Sequence, residues 1–260
     1  MFKILKYSFY DLIRSRWSYV YLFFYLLLGF VLLFLNNDLS KTVITLMNVV
    51  LILVPLIGTI FGVMYFYNSK EFTELLLAQP LKRSTIFLGQ YLGVATSLSM
   101  SLVTGLGLPF VFYGIIRSGS IWNFSLLLIT GTFLTFIFTA LAFNIALYHE
   151  NKIKGFGYAI LLWLFFAVIY DGIFLLLLVL LEDYPLDKLS ITASLLNPID
   201  LSRTLILLKL DISALLGYTG AVFKKFFGTN FGFLLSLFTL TIWVLLPTWF
   251  FIKMSRKKDF

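Results

Sequence analysis

The chain contains no cysteine and one histidine, His149. Without thiols it can form neither a disulfide nor a thiolate metal site, and one imidazole does not make a metal centre. Charge is also scarce. Only 12 % of the 260 residues are Asp, Glu, Lys or Arg, about half the share usual in soluble domains. Together with 60 % apolar residues and a mean hydropathy of +0.98, this excludes a sizeable water-soluble domain. No G-x-x-x-x-G-K-[ST] run occurs, so the chain has no phosphate-binding loop of its own. No Ser/His/Asp set stands in a recognisable motif, and no enzymatic activity is expected.

What is present is apolar sequence long enough to cross a bilayer repeatedly. Six runs reach the roughly 20 residues required: 17–35, 43–67, 87–116, 124–148, 156–181 and 231–252. The third is long enough to hold a break, for which Gly105, Gly107 and Pro109 are the candidates. The expected fold is an all-α polytopic membrane protein with six transmembrane helices. Residues 1–16 read as an amphipathic interfacial helix, with Phe2, Leu5, Phe9 and Leu12 on one side and Lys3, Lys6, Arg14 and Arg16 on the other. A secretory signal fits this end poorly, because the apolar run that follows is too long and ends in Asn36-Asn37-Asp38 without a small-x-small site.

Orientation follows from the basic residues of the short flanks. Lys3, Lys6, Arg14, Arg16, Lys70, Lys82 and Arg83 fall on one side, with Lys152, Lys154, Lys253, Arg256, Lys257 and Lys258. Only Lys41 and Arg117 fall in the short loops opposite. The excess places both termini in the cytoplasm. The expected organisation is an elbow helix at 1–16, spans 1–5 at 17–181, an outer helical insertion at 182–230, and span 6 with a basic tail at 231–260.

Two polar stretches and one buried charge stand out. Residues 69–88 carry helix signals between two spans. Ser69 is placed to cap a helix over 70–79, Glu71 and Glu74 lie in its first turns where the dipole favours acid, and Pro80 stops it. Phe72, Leu75 and Leu76 share one face. A short amphipathic helix there suits a soluble partner, and a solvated loop is the plain alternative. In the 182–230 segment, Asn197-Pro198-Ile199-Asp200 reads as a turn with Asp200 as a cap, followed by Leu201, Leu205 and Leu208 at helical spacing beside Arg203 and Lys209. A second amphipathic stretch, 214–227, groups Leu215, Tyr218, Val222 and Phe226. Such helices rest on the outer membrane surface or hold a partner there. Asp171 lies inside the fifth span, about 22 Å from its cytoplasmic start. A charge at that depth is read either as functional or as locally partnered, with Tyr170 a candidate.

A resemblance joins these features. Thr73-Glu74-Leu75-Leu76-Leu77-Ala78-Gln79-Pro80-Leu81-Lys82-Arg83, then Phe87-Leu88-Gly89-Gln90-Tyr91-Leu92-Gly93 and Gly105-Leu106-Gly107-Leu108-Pro109-Phe110, resemble the permease subunits of the type-2 ABC exporter family. Within it they are most like the permeases of the copper-processing NosDFY transporters. The family often has Gly where Phe72 stands here. The likeness is strongest over 71–114 and moderate around 197–208. It implies a homodimer in a bacterial inner membrane, bound to two copies of a NosF-like cytoplasmic ATPase that holds ATP and Mg. It further implies a NosD-like periplasmic subunit, and a role in maturing the copper site of nitrous oxide reductase during denitrification. The residues it assigns to the ATPase are Glu71, Phe72, Glu74, Gln79 and Arg83, and those to the periplasmic partner are Asn197, Asp200 and Arg203.

Neither a cofactor nor a nucleic-acid partner is expected in this chain. No metal site is expected either. Met47, Met64 and Met100 sit singly on different spans and read as packing, not as a Cu(I) relay. The alternatives are a generic type-2 exporter of a lipid- or drug-like substrate, and an ion-coupled secondary transporter using Asp171.

Overall fold

A computed structural model describes residues 1–36, 39–181, 186–210 and 220–256. Among these the chain forms α1 (Phe2–Ile13), α2 (Arg16–Leu35), α3 (Leu39–Asn68), α4 (Lys70–Leu77) and α5 (Arg83–Phe112). A 3₁₀ turn (Ile115–Arg117) leads to α6 (Ile121–Tyr148), α7 (Lys152–Leu164), a π-helical turn (Phe165–Ile169) and α8 (Tyr170–Leu180). Last come α9 (Asp187–Leu196), α10 (Pro198–Lys209), α11 (Gly220–Phe227) and α12 (Asn230–Ser255). Among the described residues, α2, α3, α5, α6, the run Lys152–Leu180 and α12 are long and apolar enough to cross a membrane. The protein is an all-α polytopic membrane protein. Leu215, Tyr218, Lys257 and Lys258 lie outside the described residues.

α3, α5 and α6 form the centre. Val43, Leu46, Val50 and Val54 of α3 are buried. One turn apart, Gly58 and Gly62 let α6 approach so closely that a Cβ on Gly62 would lie 2.7 Å from that of Ala142. Small residues four apart are how apolar helices pack when lipid offers no hydrophobic drive between them. The same device seats α1. Its inward face is Ile4, Ser8 and Leu12; of the expected stripe Leu12 is buried, Leu5 and Phe9 are half-buried and Phe2 is 76 % exposed. Gly89 and Gly93 of α5 are the cause: a Cβ on Gly93 would meet Ser8 Cβ at 2.6 Å and the Leu5 carbonyl oxygen at 2.9 Å. The helix is therefore turned toward its smallest residue and packs on α5. It ends at Ile13, and Ser15 caps α2 by accepting from Ser18 N at 3.2 Å.

The break expected in the third span is absent. α5 runs unbroken through Gly105, Gly107 and Pro109, because Gly105 receives Tyr25 and Pro109 packs against Gly29 of α2. The chain turns instead at Gly114, whose φ of +81° favours glycine.

The segment expected to rest on the outer membrane surface or to hold a partner there packs instead among the spans. α9 and α10 form a hairpin bent by 114° at Asn197. Ile199, Leu201, Leu205, Ile206 and Leu207 of α10 are all buried. Trp243, halfway along α12, donates its Nε1–H to the Leu195 carbonyl at 3.2 Å. Phe166, about 21 Å from the start of α7, accepts from Asn197 Nδ2 at 3.0 Å. The hairpin tip therefore sits at mid-height among the spans. The reason is compositional. Ile199, Ile206 and Leu207 add apolar surface beside the expected stripe, and the small Ser202 and Thr204 are buried with them, Ser202 Oγ donating to the Pro198 carbonyl at 2.8 Å.

Candidate functional site

α1, α4, the His149–Asn151 turn and the end of α12 gather at one end of the bundle, the basic end. Here α4 follows α3 after Ser69 alone. Ser69 does not cap it with its side chain, which donates to the Phe66 carbonyl at 3.3 Å. Thr73 secures the first turn instead. Its Oγ1–H donates to the Ser69 carbonyl at 2.8 Å, and the same oxygen accepts from Gln90 Nε2 of α5 at 2.8 Å. Gln90 is fully buried, so this bond is shielded from water and tethers α4 to α5. On the other side Phe72 stacks on Tyr7 of α1, ring centroids 4.5 Å apart. The short helix is thus clasped by α1 and α5, which compensates for a length too small to be stable alone.

This clasp decides what α4 shows to solvent. Phe72 and Leu76 are half-buried, whereas Leu75 is 69 % exposed, so the expected apolar face is split. Glu71, Glu74 and Leu75 point outward and Gln79 is exposed just beyond the helix, which ends at Leu77 and not at 79. Arg83 is exposed in the first turn of α5. Lys70 lies 3.8 Å from Glu74 as an exposed i,i+4 pair, worth little energetically. The result is a charged outer face of Glu71, Glu74 and Lys70 with one exposed apolar side chain, Leu75, among them. Sequence reasoning missed Tyr7 and Gln90. A lone amide inside an apolar run was the available signal for Gln90.

A second polar site, partly buried, lies between α8 and α10. Arg203 Nη1 donates to Asp171 Oδ2 and to Asp200 Oδ1, each at 2.9 Å. Asp200 Oδ2 accepts from Asn197 Nδ2 at 3.2 Å. Asn197, not Asp200, is the N-cap of α10, its Oδ1 accepting from Ile199 N at 3.0 Å with Pro198 in the first turn. Asp171 is partnered by Arg203, while the Tyr170 hydroxyl donates to the Ala193 carbonyl at 2.7 Å. Ala193 and Leu195 are among the last carbonyls of α9, which lack helical donors. Tyr170 and Trp243 supply them. The structure thus brings Asn197, Asp200, Arg203 and Asp171 together, and their polar groups bind one another instead of standing free at the surface. They fasten the hairpin to span 5, where α8 buries no residue of its own.

The remaining candidates are scattered. His149 stacks on Tyr158 at 4.4 Å, and its carbonyl accepts from the Tyr67 hydroxyl at 2.7 Å. Met47 is buried in the core and Met100 is 52 % exposed. Among the described residues no three of His, Asp and Glu come together to hold a metal.

The chain is similar to permeases named NosY. It is 28 % identical over 174 residues to the probable ABC transporter permease protein NosY of Stutzerimonas stutzeri, covering 64 % of this chain and 63 % of that protein. To the probable ABC transporter permease protein NosY of Pseudomonas aeruginosa PAO1 it is 29 % identical over 191 residues, covering 68 % of this chain and 67 % of the relative. No family model matches the chain.

Proposed function

We propose that this protein is the membrane-spanning permease of an ABC transporter of the NosDFY type. It passes movement driven by ATP hydrolysis in a cytoplasmic ATPase to a periplasmic subunit, in the service of copper-site maturation of nitrous oxide reductase. The observation that carries the reading is the clasped helix α4. Its acidic outer face of Glu71 and Glu74, with Leu75 and Gln79, is the contact for the ATPase, and Arg83 adds a cation at its edge. Phe72 on Tyr7 and Thr73 on Gln90 transmit a push on that face into α1 and α5. ATP and Mg belong to the partner ATPase, and this chain performs no bond chemistry.

In this reading the basic end is cytoplasmic, consistent with the distribution of Lys and Arg, and the chain acts as a homodimer in the inner membrane. Asn197, Asp200 and Arg203 serve the periplasmic subunit indirectly, by holding the hairpin beneath it. The absence of cysteine and the presence of one histidine disfavour a copper path through the chain. Mechanical coupling is the better account.

The test is purification of the tagged protein from its native membrane in mild detergent, with mass spectrometry of what accompanies it. An ABC ATPase and a periplasmic protein are expected. An ATPase alone would reduce the reading to a generic exporter, and neither partner in a detergent that preserves known complexes would overturn it.

A further inference from the structure

A groove of about 580 Å³ runs between α6 and α12, with Val103 of α5 in its wall. A second cavity of about 130 Å³ shares Ser125 and Ile129 with it and continues it toward the end where α6 and α12 begin. On α6 the lining residues fall along one stripe from Trp122 through Ser125 and Ile129 to Phe136. Fourteen residues of helix rise about 21 Å, so the trough runs somewhat deeper than one leaflet of a 30 Å hydrocarbon core.

Its chemistry narrows what can lie there. The three hydroxyls on its walls are all engaged in their own helices: Ser125 Oγ donates to the Ile121 carbonyl at 2.8 Å, Thr132 Oγ1 to Leu128 at 2.8 Å and Thr241 Oγ1 to Leu237 at 2.8 Å. The walls therefore offer no spare donor, and a ligand with polar groups along its length would lose hydrogen bonds on entering. At the mouth the character reverses. Trp122 is 58 % exposed, the usual place for an amphipathic ring at a membrane interface. Phe233, which lines the outer cavity, has Lys209 Nζ 5.9 Å from its ring centroid. An apolar trough of leaflet depth thus opens beside an exposed ammonium.

We propose that this groove holds one acyl chain of an anionic phospholipid from the leaflet at that end, with the lipid phosphate at Lys209. The site is separate from α4 and from the Asp171–Arg203 cluster, and it does not depend on the ATPase reading.

Native mass spectrometry of the purified full-length protein, titrated with phosphatidylglycerol or phosphatidylcholine of identical chains, tests this. One phosphatidylglycerol should bind about fivefold more tightly than phosphatidylcholine, the worth of one lysine near an anionic headgroup. Lys209→Gln should abolish that preference while leaving the weaker binding. Ser125→Phe, at the junction of the two cavities, should remove binding of both lipids, and Ser125→Ala should change nothing. Ile129→Trp provides a second filled groove if Ser125→Phe folds poorly. Equal affinity for the two lipids, or undiminished binding in a monodisperse filled-groove variant, would overturn the proposal.

Discussion

At the residue scale, Gly93 sets the position of α1. Any side chain there must displace Ser8 or the Leu5 backbone, and overpacking of this kind costs about 1–3 kcal/mol. Gly93→Val should lower the thermal midpoint by several degrees, whereas Gly107→Val, with nothing within 4 Å of its Cβ position, should not. The Asp171–Arg203–Asp200 cluster makes a second prediction with an internal comparison. Arg203→Met leaves two carboxylates facing each other, whereas Asp171→Asn keeps the Arg203–Asp200 pair. Breaking a fully buried pair costs about 3–5 kcal/mol. These side chains are 29 % and 30 % exposed, so about 2 kcal/mol is expected for Arg203→Met and less for Asp171→Asn, read from thermal unfolding in detergent. Asp171 was legible in the sequence as a charge in the wrong place. Its partner was not, because Arg203 lies 32 residues away and reaches it only after the hairpin has folded back.

At the scale of elements, length decided what could be read. The six spans are long apolar runs, and the bilayer selects them by thickness alone. α9 and α10 are each too short to span, so a length rule assigns them to the surface, and the partners that bury α10, on α3, α6 and α12, are distant in sequence. α1 was legible as a helix but not in its rotation, which depends on the glycine bed of another helix. For α4, Glu71, Glu74 and Gln79 could be listed in advance as facing outward, but Phe72, expected among them, is drawn onto Tyr7, and Leu75 is exposed instead. The hairpin gives a prediction at this scale. Asn197→Ala removes the cap of α10 and the bond to Phe166 together. Loss of a cap costs about 1 kcal/mol and the unpaired Phe166 carbonyl adds to it. Hydrogen exchange should therefore accelerate across α9 and α10 while α3 and α6 keep their protection.

At the scale of the molecule, the bundle has a rigid centre of α3, α5 and α6 and two attached parts. One is the α1–α4 clasp at the basic end, and the other is the hairpin held between span 5 and α12. α3 and α6 link them, since α4 follows α3 directly and α10 packs on both α3 and α6. A load on α4 thus has a continuous packed route along the molecule. The central claim is that the outer face of α4 is the ATPase contact, and it is tested most directly by titrating the purified ATPase onto the protein in lipid nanodiscs. Glu74→Arg reverses an exposed charge without touching the clasp, so stability should change by no more than about 0.5 kcal/mol. ATPase binding should fall at least tenfold, while Arg117→Glu at the opposite end should bind as the parent does. Unchanged affinity for Glu74→Arg, with the ATPase still bound, would contradict the assignment of α4.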